Sequence, residues 1–317
     1  MLVTFPDYDT ENPEHGGALT AAGFVMRVAP KRGPRSADEL LALCFDAAGA
    51  IVSTDPFTAD VMRRSPRLRV IARTGVGIDS IDAAAATELG VAITTTPGAN
   101  ESSVADHAIA MMLALLRRVP EHDAAVRRGE WNRTGPHTPR LLTGLRVGLV
   151  GYGHIGRLVA QRLAGFDVDP VVSDPALAGS DSPRSVELAE LLAGCDVVSL
   201  HCPLIPATRH LIDRSALQLM RPHAILVNTS RGEVVDEEAL VAALQDGVIA
   251  GAALDVFEQE PPSDSPLLSM PNVVVSPHLG GLSTKSVDEM SRRATASVID
   301  VLNGRVPEGL ANRAVLD

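Results

Sequence analysis

Basic side chains are scarce in this chain: 28 Lys and Arg stand against 39 Asp and Glu, a formal net charge of −11 at pH 7. A surface of that sign repels nucleic-acid phosphates and anionic lipid headgroups, so neither nucleic acid nor membrane is expected as a partner. Lysine is confined to Lys31 and Lys285, and the positive charge is almost all arginine, a compositional bias with no functional reading. Cysteine is rare too. Cys44, Cys195 and Cys202 form no C-x-x-C pair and are odd in number, which excludes a disulfide framework and a zinc site of that spacing and suits a reducing compartment. No metal is implied. A run of about 18 apolar residues is absent, and Met1-Leu-Val-Thr-Phe-Pro6 lacks a basic segment followed by an apolar one. The expectation is a cytoplasmic protein, and 317 residues at 45% hydrophobic content suffice for two domains with separate cores.

The most informative stretch is Arg146-Val-Gly-Leu-Val-Gly-Tyr-Gly-His-Ile-Gly-Arg157. A strand-like Val147–Val150 runs into Gly151, Gly153 and Gly156, and an amphipathic helix is expected from Leu158 to Phe166. In this G-x-G-x-x-G spacing the first glycine permits a tight turn, the second lets backbone approach a pyrophosphate, and the third lets helix and strand pack closely. Helix-start N–H groups then hold the phosphates. An acid, Asp174, ends the next apolar run roughly 20 residues on, where it bonds a ribose 2′-hydroxyl and repels a 2′-phosphate. Pro175-Ala-Leu177 brings no arginine, so NAD is expected rather than NADP.

Residues 1–98 alternate short apolar runs (Leu2–Phe5, Phe24–Val28, Ile51–Ser53, Leu68–Arg73, Val91–Thr95) with helical segments, one opened by the capping-box pattern Ser36-Ala-Asp-Glu39. Alternation predicts a parallel sheet covered by helices. Gly75-Val-Gly77 lacks a third glycine. It reads equally as a plain turn or as a loop lining a crevice beyond a strand's carboxyl end. Thr96–Asn100 is a turn cluster and the first domain boundary. Ser102–Arg118 has a long buried helix's apolar spacing, in which the methionines read as core filler and His107 as a satisfied structural histidine rather than a ligand. Trp131–Arg140, polar and proline-bearing, reads either as an arm meeting a second subunit or as a surface loop. Strands and helices alternate again after Leu145, and Lys285–Leu302 is a final amphipathic helix that returns to the first domain.

Three polar residues fall just past strands of this second half. Arg231 follows Leu226-Val-Asn-Thr-Ser230, where a guanidinium fork suits a carboxylate held at two oxygens. Glu260 and His278 follow two further strands. A carboxylate beside an imidazole stabilises its cation, equipping it for proton exchange near neutral pH. Spacing alone leaves open whether these two meet.

Gly75-Val-Gly-Ile-Asp79, Gly151–Gly156, Asn228-Thr-Ser-Arg-Gly232, Ala253-Leu-Asp-Val-Phe257 with Glu260-Pro-Pro262, and Ser276-Pro-His-Leu-Gly280 stand in an order that resembles the D-isomer-specific 2-hydroxyacid dehydrogenases, most of all the D-3-phosphoglycerate dehydrogenase branch. The resemblance spans nearly the whole chain. It implies an α/β protein of two Rossmann-like domains: a flavodoxin-like substrate domain (1–98, with 286–317 returning to it) and a doubly wound NAD-binding domain (99–285). It implies that His278 exchanges a proton with the substrate oxygen, that Glu260 holds the imidazole, and that Arg231 binds the carboxylate while hydride passes between C2 and the nicotinamide. Val76 and Gly77 would bind the carboxylate through backbone amides. Gly151, Gly153, His154, Ile155 and Gly156 would meet the pyrophosphate and Asp174 the ribose. Cys202, Pro203, Thr208, Thr229, Ser230, Arg231, Asp255, His278 and Gly280 would line the rest of the cofactor site. A homodimer formed through the nucleotide domains is also implied, with a small 2-hydroxy or 2-oxo acid as the substrate partner.

The chain departs from the phosphoglycerate branch at Ser53-Thr-Asp55, where that branch often carries an arginine; an acid there is expected to repel a phosphate. The expected activity is therefore NAD-dependent interconversion of a D-2-hydroxy acid and its 2-oxo acid, with 3-phosphoglycerate, or hydroxypyruvate and glyoxylate, as candidates. The rival from another class is an NAD(H)-sensing corepressor-like binding protein.

Overall fold

The computed structural model describes residues 1–31, 33–131, 133, 135, 138–178 and 183–316. The chain divides into two compact units, 1–100 with 281–317, and 101–280. The first begins with β1 (Leu2–Val3), α1 (Gly16–Ala21), β2 (Arg27–Val28), α2 (Ala37–Cys44), β3 (Gly49–Val52), α3 (Ala59–Arg63), β4 (Val70–Arg73), α4 (Ala83–Glu88) and β5 (Ala92–Thr94). Its five strands are all parallel in the order β2-β1-β3-β4-β5, the flavodoxin-like order. Side-chain caps start three of these helices: Ser36 closes a capping box with Glu39 before α2, Thr58 caps α3 and Asp82 caps α4. Sequence reading did not anticipate α1, because it opens on two glycines and has no side-chain cap. Packing imposes it: Leu19 is fully buried, and a Cβ on Gly16 would stand 2.1 Å from the Thr10 carbonyl oxygen.

The second unit comprises α5 (Glu101–Leu116), α6 (Val119–Arg127), β6 (Val147–Val150), α7 (His154–Leu163), β7 (Val171–Ser173), α8 (Leu188–Gly194), β8 (Val197–Leu200), α9 (Arg214–Leu219), β9 (Ile225–Asn228), α10 (Glu237–Gln245), β10 (Gly251–Leu254) and β11 (Val273–Val275). Its strands run parallel in the order β11-β10-β9-β8-β6-β7, and a Val172–Ser185 bridge extends the β7 edge. Strands β6, β8, β9 and β10 are buried along their whole length, as the central strands of a parallel sheet covered on both faces are. The order reverses between β6 and β8, and at such a switch point ligands of doubly wound sheets bind.

Helix α9 starts only at Arg214, after a turn that Thr208 closes and in which His210 takes φ +51°. Asn132, Thr134, Pro136 and His137 of the Trp131–Arg140 stretch, read as an arm or a surface loop, lie outside the described residues. The chain returns to the first unit through α11 (Thr284–Leu302), whose Met290, Ala294 and Val298 pack on Val3, Ile51, Val70 and Ala72. Each large apolar side chain so buried contributes roughly 1.5–3 kcal/mol. The second boundary falls at 280/281 rather than 285/286, since Ser283 and Ser286 form the capping box of α11 and the chain entering that helix belongs to the first unit.

Candidate active site

The loop after β6 uses its three glycines differently. Gly151 takes φ +92°, and a Cβ on it would lie 2.7 Å from the Cys202 amide nitrogen. Gly156 would put a Cβ 2.4 Å from the Gly151 carbonyl oxygen, so helix and strand approach as closely as backbone allows. Gly153 is the N-cap of α7, with no side-chain cap, and a Cβ there would meet no atom within 4 Å. The protein's own packing therefore requires the first and third glycines but not the second. A bare, uncapped helix start opening onto free space fits an anionic pyrophosphate.

The helix begins at His154, four residues before the expected Leu158, which places His154 and Ile155 in its first turn. His154 Nδ1 bonds Glu101 at 3.1 Å. Asp174 is fixed at the end of β7: its two oxygens accept the Tyr152 and Ala176 amides at 2.7 and 2.9 Å. That holds a carboxylate beside the glycine loop, where the ribose argument requires one. Cys202 is buried behind Gly151, and burial pushes its thiol up to about 11, so it serves as an inert wall. Pro203 stands exposed next to it. Thr208 closes a turn, its hydroxyl donating to the Pro203 carbonyl at 2.6 Å and accepting the Ile205 amide. The Thr229 hydroxyl is buried with no partner, an orphaned polar atom that a cofactor group would satisfy. These features together fit a dinucleotide.

Past β9, the loop carrying Arg231 is locked by its own backbone. The Asn228 side chain donates to the Arg231 carbonyl and accepts from both the Ser230 amide and the Ser230 hydroxyl. Gly232 is obligatory: a Cβ there would stand 1.9 Å from the Phe257 carbonyl carbon. The Arg231 loop thus rests directly on the segment that leads to Glu260. That glutamate accepts the Phe257 amide on one oxygen at 3.2 Å and meets His278 Nδ1 with the other at 2.8 Å. Both side chains are about a third exposed, 37% for His278 and 35% for Glu260. With Nδ1 engaged, Nε2 is the nitrogen left for proton exchange.

His278 is itself unusual, a non-glycine residue at φ +54°. Asp255 stabilises that turn. Its carbonyl accepts the His278 amide, Oδ1 accepts the Leu279 amide and the Ser276 hydroxyl, and Oδ2 accepts the Gly280 amide. Burial would push the Asp255 carboxyl up, but hydrogen bonds from His107, Ser276, Gly280 and Leu279 outweigh it and hold it below its ordinary value. Sequence reading placed Asp255 at the cofactor and did not find this clamp. The contributions of Asn228 and Ser276 were also missed, since bonds between loops of different strands leave no periodic signal.

In the first unit, Gly75 takes φ +146° and its carbonyl accepts the Thr96 amide. Val76 is exposed and Gly77 half-buried. The Arg73 guanidinium lies over Gly75 and donates to the Thr74 carbonyl at 2.9 Å. Asp55 does not present its charge to solvent. It is paired with Arg35 at 2.9 Å, accepts the Thr4 hydroxyl at 2.7 Å, and is only 10% exposed. The expectation that it repels a phosphate is corrected: its charge is internally neutralised. Among the described residues no cluster of three His, Cys, Asp or Glu could hold a metal.

Residues 109–280 match the D-isomer specific 2-hydroxyacid dehydrogenase, NAD binding domain. The chain is 41% identical to the glyoxylate reductase of Thermofilum pendens over 295 residues, 89% of this chain and 86% of that protein. It is 39% identical to the D-3-phosphoglycerate dehydrogenase of Methanocaldococcus jannaschii over 281 residues, 87% of this chain but 53% of that protein. The crystal structure of the TT0316 protein from Thermus thermophilus superposes with a TM-score of 0.89 at 38% identity, covering 98% of this chain and 99% of that one.

Proposed function

This chain belongs to the D-isomer-specific 2-hydroxyacid dehydrogenases, NAD-dependent oxidoreductases interconverting a D-2-hydroxy acid and its 2-oxo acid, and we propose that its own substrate is a small unphosphorylated 2-oxo acid of the glyoxylate and hydroxypyruvate kind. The observation that carries the chemistry is the His278–Glu260 pair at 2.8 Å on a loop clamped by Asp255. In the reducing direction His278 gives the proton on Nε2 to the C2 oxygen, and Glu260 keeps the ring oriented and balances the charge it carries. Arg231 would hold the substrate carboxylate with its guanidinium fork. NADH, when bound, supplies the hydride that C2 receives. Gly151, Gly153, His154, Ile155 and Gly156 would hold its pyrophosphate, Asp174 its adenosine ribose, and Cys202, Pro203, Thr208, Thr229, Ser230 and Gly280 its remainder.

The substrate assignment is supported by the loop after β3, which offers the neutral hydroxyls of Ser53 and Thr54 while the Asp55 charge is consumed by Arg35. Phosphohydroxypyruvate is the second reading, favoured by Arg73 beside Gly75. NADH oxidation against glyoxylate, hydroxypyruvate and phosphohydroxypyruvate separates them. A clear win for the phosphorylated acid replaces the first reading with the second, and NADH binding without turnover on any acid favours a sensor.

We also propose a homodimer in the cytoplasm. Helix α6 has no buried residue, exposes Val119 and Val126, and is followed by Trp131 at 75% and Leu141 at 65% exposure. Sedimentation of a Val126→Glu, Trp131→Glu variant as a dimer would remove that surface from the proposal. The three free cysteines suit a reducing compartment.

A further inference from the structure

We infer that His107 is a positioning residue for the catalytic turn, acting through Asp255 on the loop that presents His278. This rests on the function proposed above for His278. His107 lies three residues after Val104 and four before Met111, on the border of the buried face of α5. Its Nε2 is 2.9 Å from the Ser276 hydroxyl oxygen and 3.2 Å from Asp255 Oδ1. The proton positions follow from counting. Ser276 has one hydroxyl hydrogen, which goes to the ionised Asp255 at 2.5 Å. His107 Nε2 must then carry hydrogen and donate towards the pair.

Asp255 is 1% exposed, and a carboxylate so buried needs its lone pairs satisfied. Two of its donors are the Leu279 and Gly280 amides; the third and fourth, Ser276 and His107, fix the direction in which it faces. Space is tight on both sides, since a Cβ on Gly280 would stand 2.9 Å from Asp255 Oδ2 and 3.6 Å from His107 Cδ2. Without the imidazole donor the carboxylate can turn away from the two amides, and the turn at His278, at φ +54°, loses the bonds that stabilise a backbone conformation rare for a non-glycine residue.

The test compares His107→Phe, which keeps the ring volume without the donor, with His107→Gln, which keeps an N–H donor. The phenylalanine variant is expected to lower kcat by about 10–100-fold, with NADH affinity and KM within roughly threefold of wild type, as misplacement of a catalytic group does. It is also expected to speed hydrogen exchange at the Leu279 and Gly280 amides. Glutamine is expected to restore both readouts most of the way. Wild-type kcat with unchanged exchange in the phenylalanine variant, or a glutamine variant as impaired as phenylalanine, overturns the inference. Should the phenylalanine variant not fold, Ser276→Ala breaks the same link from the loop side and is expected to show the same kcat loss and faster exchange; unchanged exchange there overturns it equally. Absence of turnover in the wild type would sink the proposed function instead, while the exchange readout would still decide the role of His107.

Discussion

Both units are parallel sheets with a glycine-bearing loop beyond a strand, yet the helix starts around those loops are finished in opposite ways. In the first unit, α2, α3 and α4 are sealed by Ser36, Thr58 and Asp82, and the chain after Gly75-Val-Gly77 runs through a turn before Asp82 instead of entering a helix directly. In the second unit, α7 starts at Gly153, which has no side chain to donate or accept. A side-chain cap takes one of the N–H groups at its helix start, whereas an open start keeps that group for a ligand. The difference between the Gly75 loop and the Gly151 loop thus lies less in how many glycines each has than in whether a glycine stands where the fold itself has no need of one.

The largest expected effect separates two functions housed in the second unit. His278→Ala is expected to lower kcat by about 10²–10⁴-fold, the range of a positioned acid–base group. NADH affinity, read by fluorescence titration, should stay near wild type, because the glycine loop and the His278 turn are built from different strands. Comparable turnover in the variant would remove His278 from the mechanism. Next in size is a direct inversion of the comparison. Gly153→Ser gives α7 the kind of cap that α2, α3 and α4 have. It should weaken NADH binding tenfold or more, about 1.4 kcal/mol, while leaving the melting temperature unchanged or slightly raised, since replacing glycine at an N-cap alters stability by only a few tenths of a kcal/mol. Unchanged NADH affinity would mean that the open helix start is not where the phosphates sit. Gly156→Ala should behave oppositely: its Cβ would press on the Gly151 carbonyl, so a loss of about 1–3 kcal/mol in denaturant stability is expected.

Legibility in the sequence followed the same division. Parallel strands were visible because short runs rich in branched apolar residues, such as Val197-Val-Ser-Leu200 and Ile225–Val227, need no partner information to be recognised. A capped helix was visible too: Ser36-x-x-Glu39 announces its start locally. Helix α1 was not, because its cause is Thr10 packed against Gly16 rather than any property of the segment. Among the candidate site residues, Arg231, Glu260 and His278 were legible as polar residues beyond strands, while the 2.8 Å meeting of the last two was implied by the family resemblance and not by spacing, since it depends on loops from different strands converging. Asp55 is the sharpest case. Its charge was legible and its Arg35 partner, 20 residues earlier, was not, so a reading from charge alone reversed its meaning.

The smallest effect concerns how the first unit is held at low pH. Glu289 on α11 is pulled down to about 2 by Arg292, with Arg293 adding to the effect. A carboxylate depressed in the folded state stabilises it above its unfolded value and loses that contribution as pH falls. For Glu289 the stabilisation should be full above about 4.5 and disappear between there and about 2. The group is 28% exposed and solvent-screened, so less than about 1 kcal/mol is expected. Glu289→Gln should therefore melt a few degrees below wild type near neutrality and converge with it as pH drops through that window. A gap that stayed constant with pH would show that the glutamate acts by packing. Its arginine pairing would then leave the first unit's sealing to the helix caps and the buried Arg35–Asp55 pair.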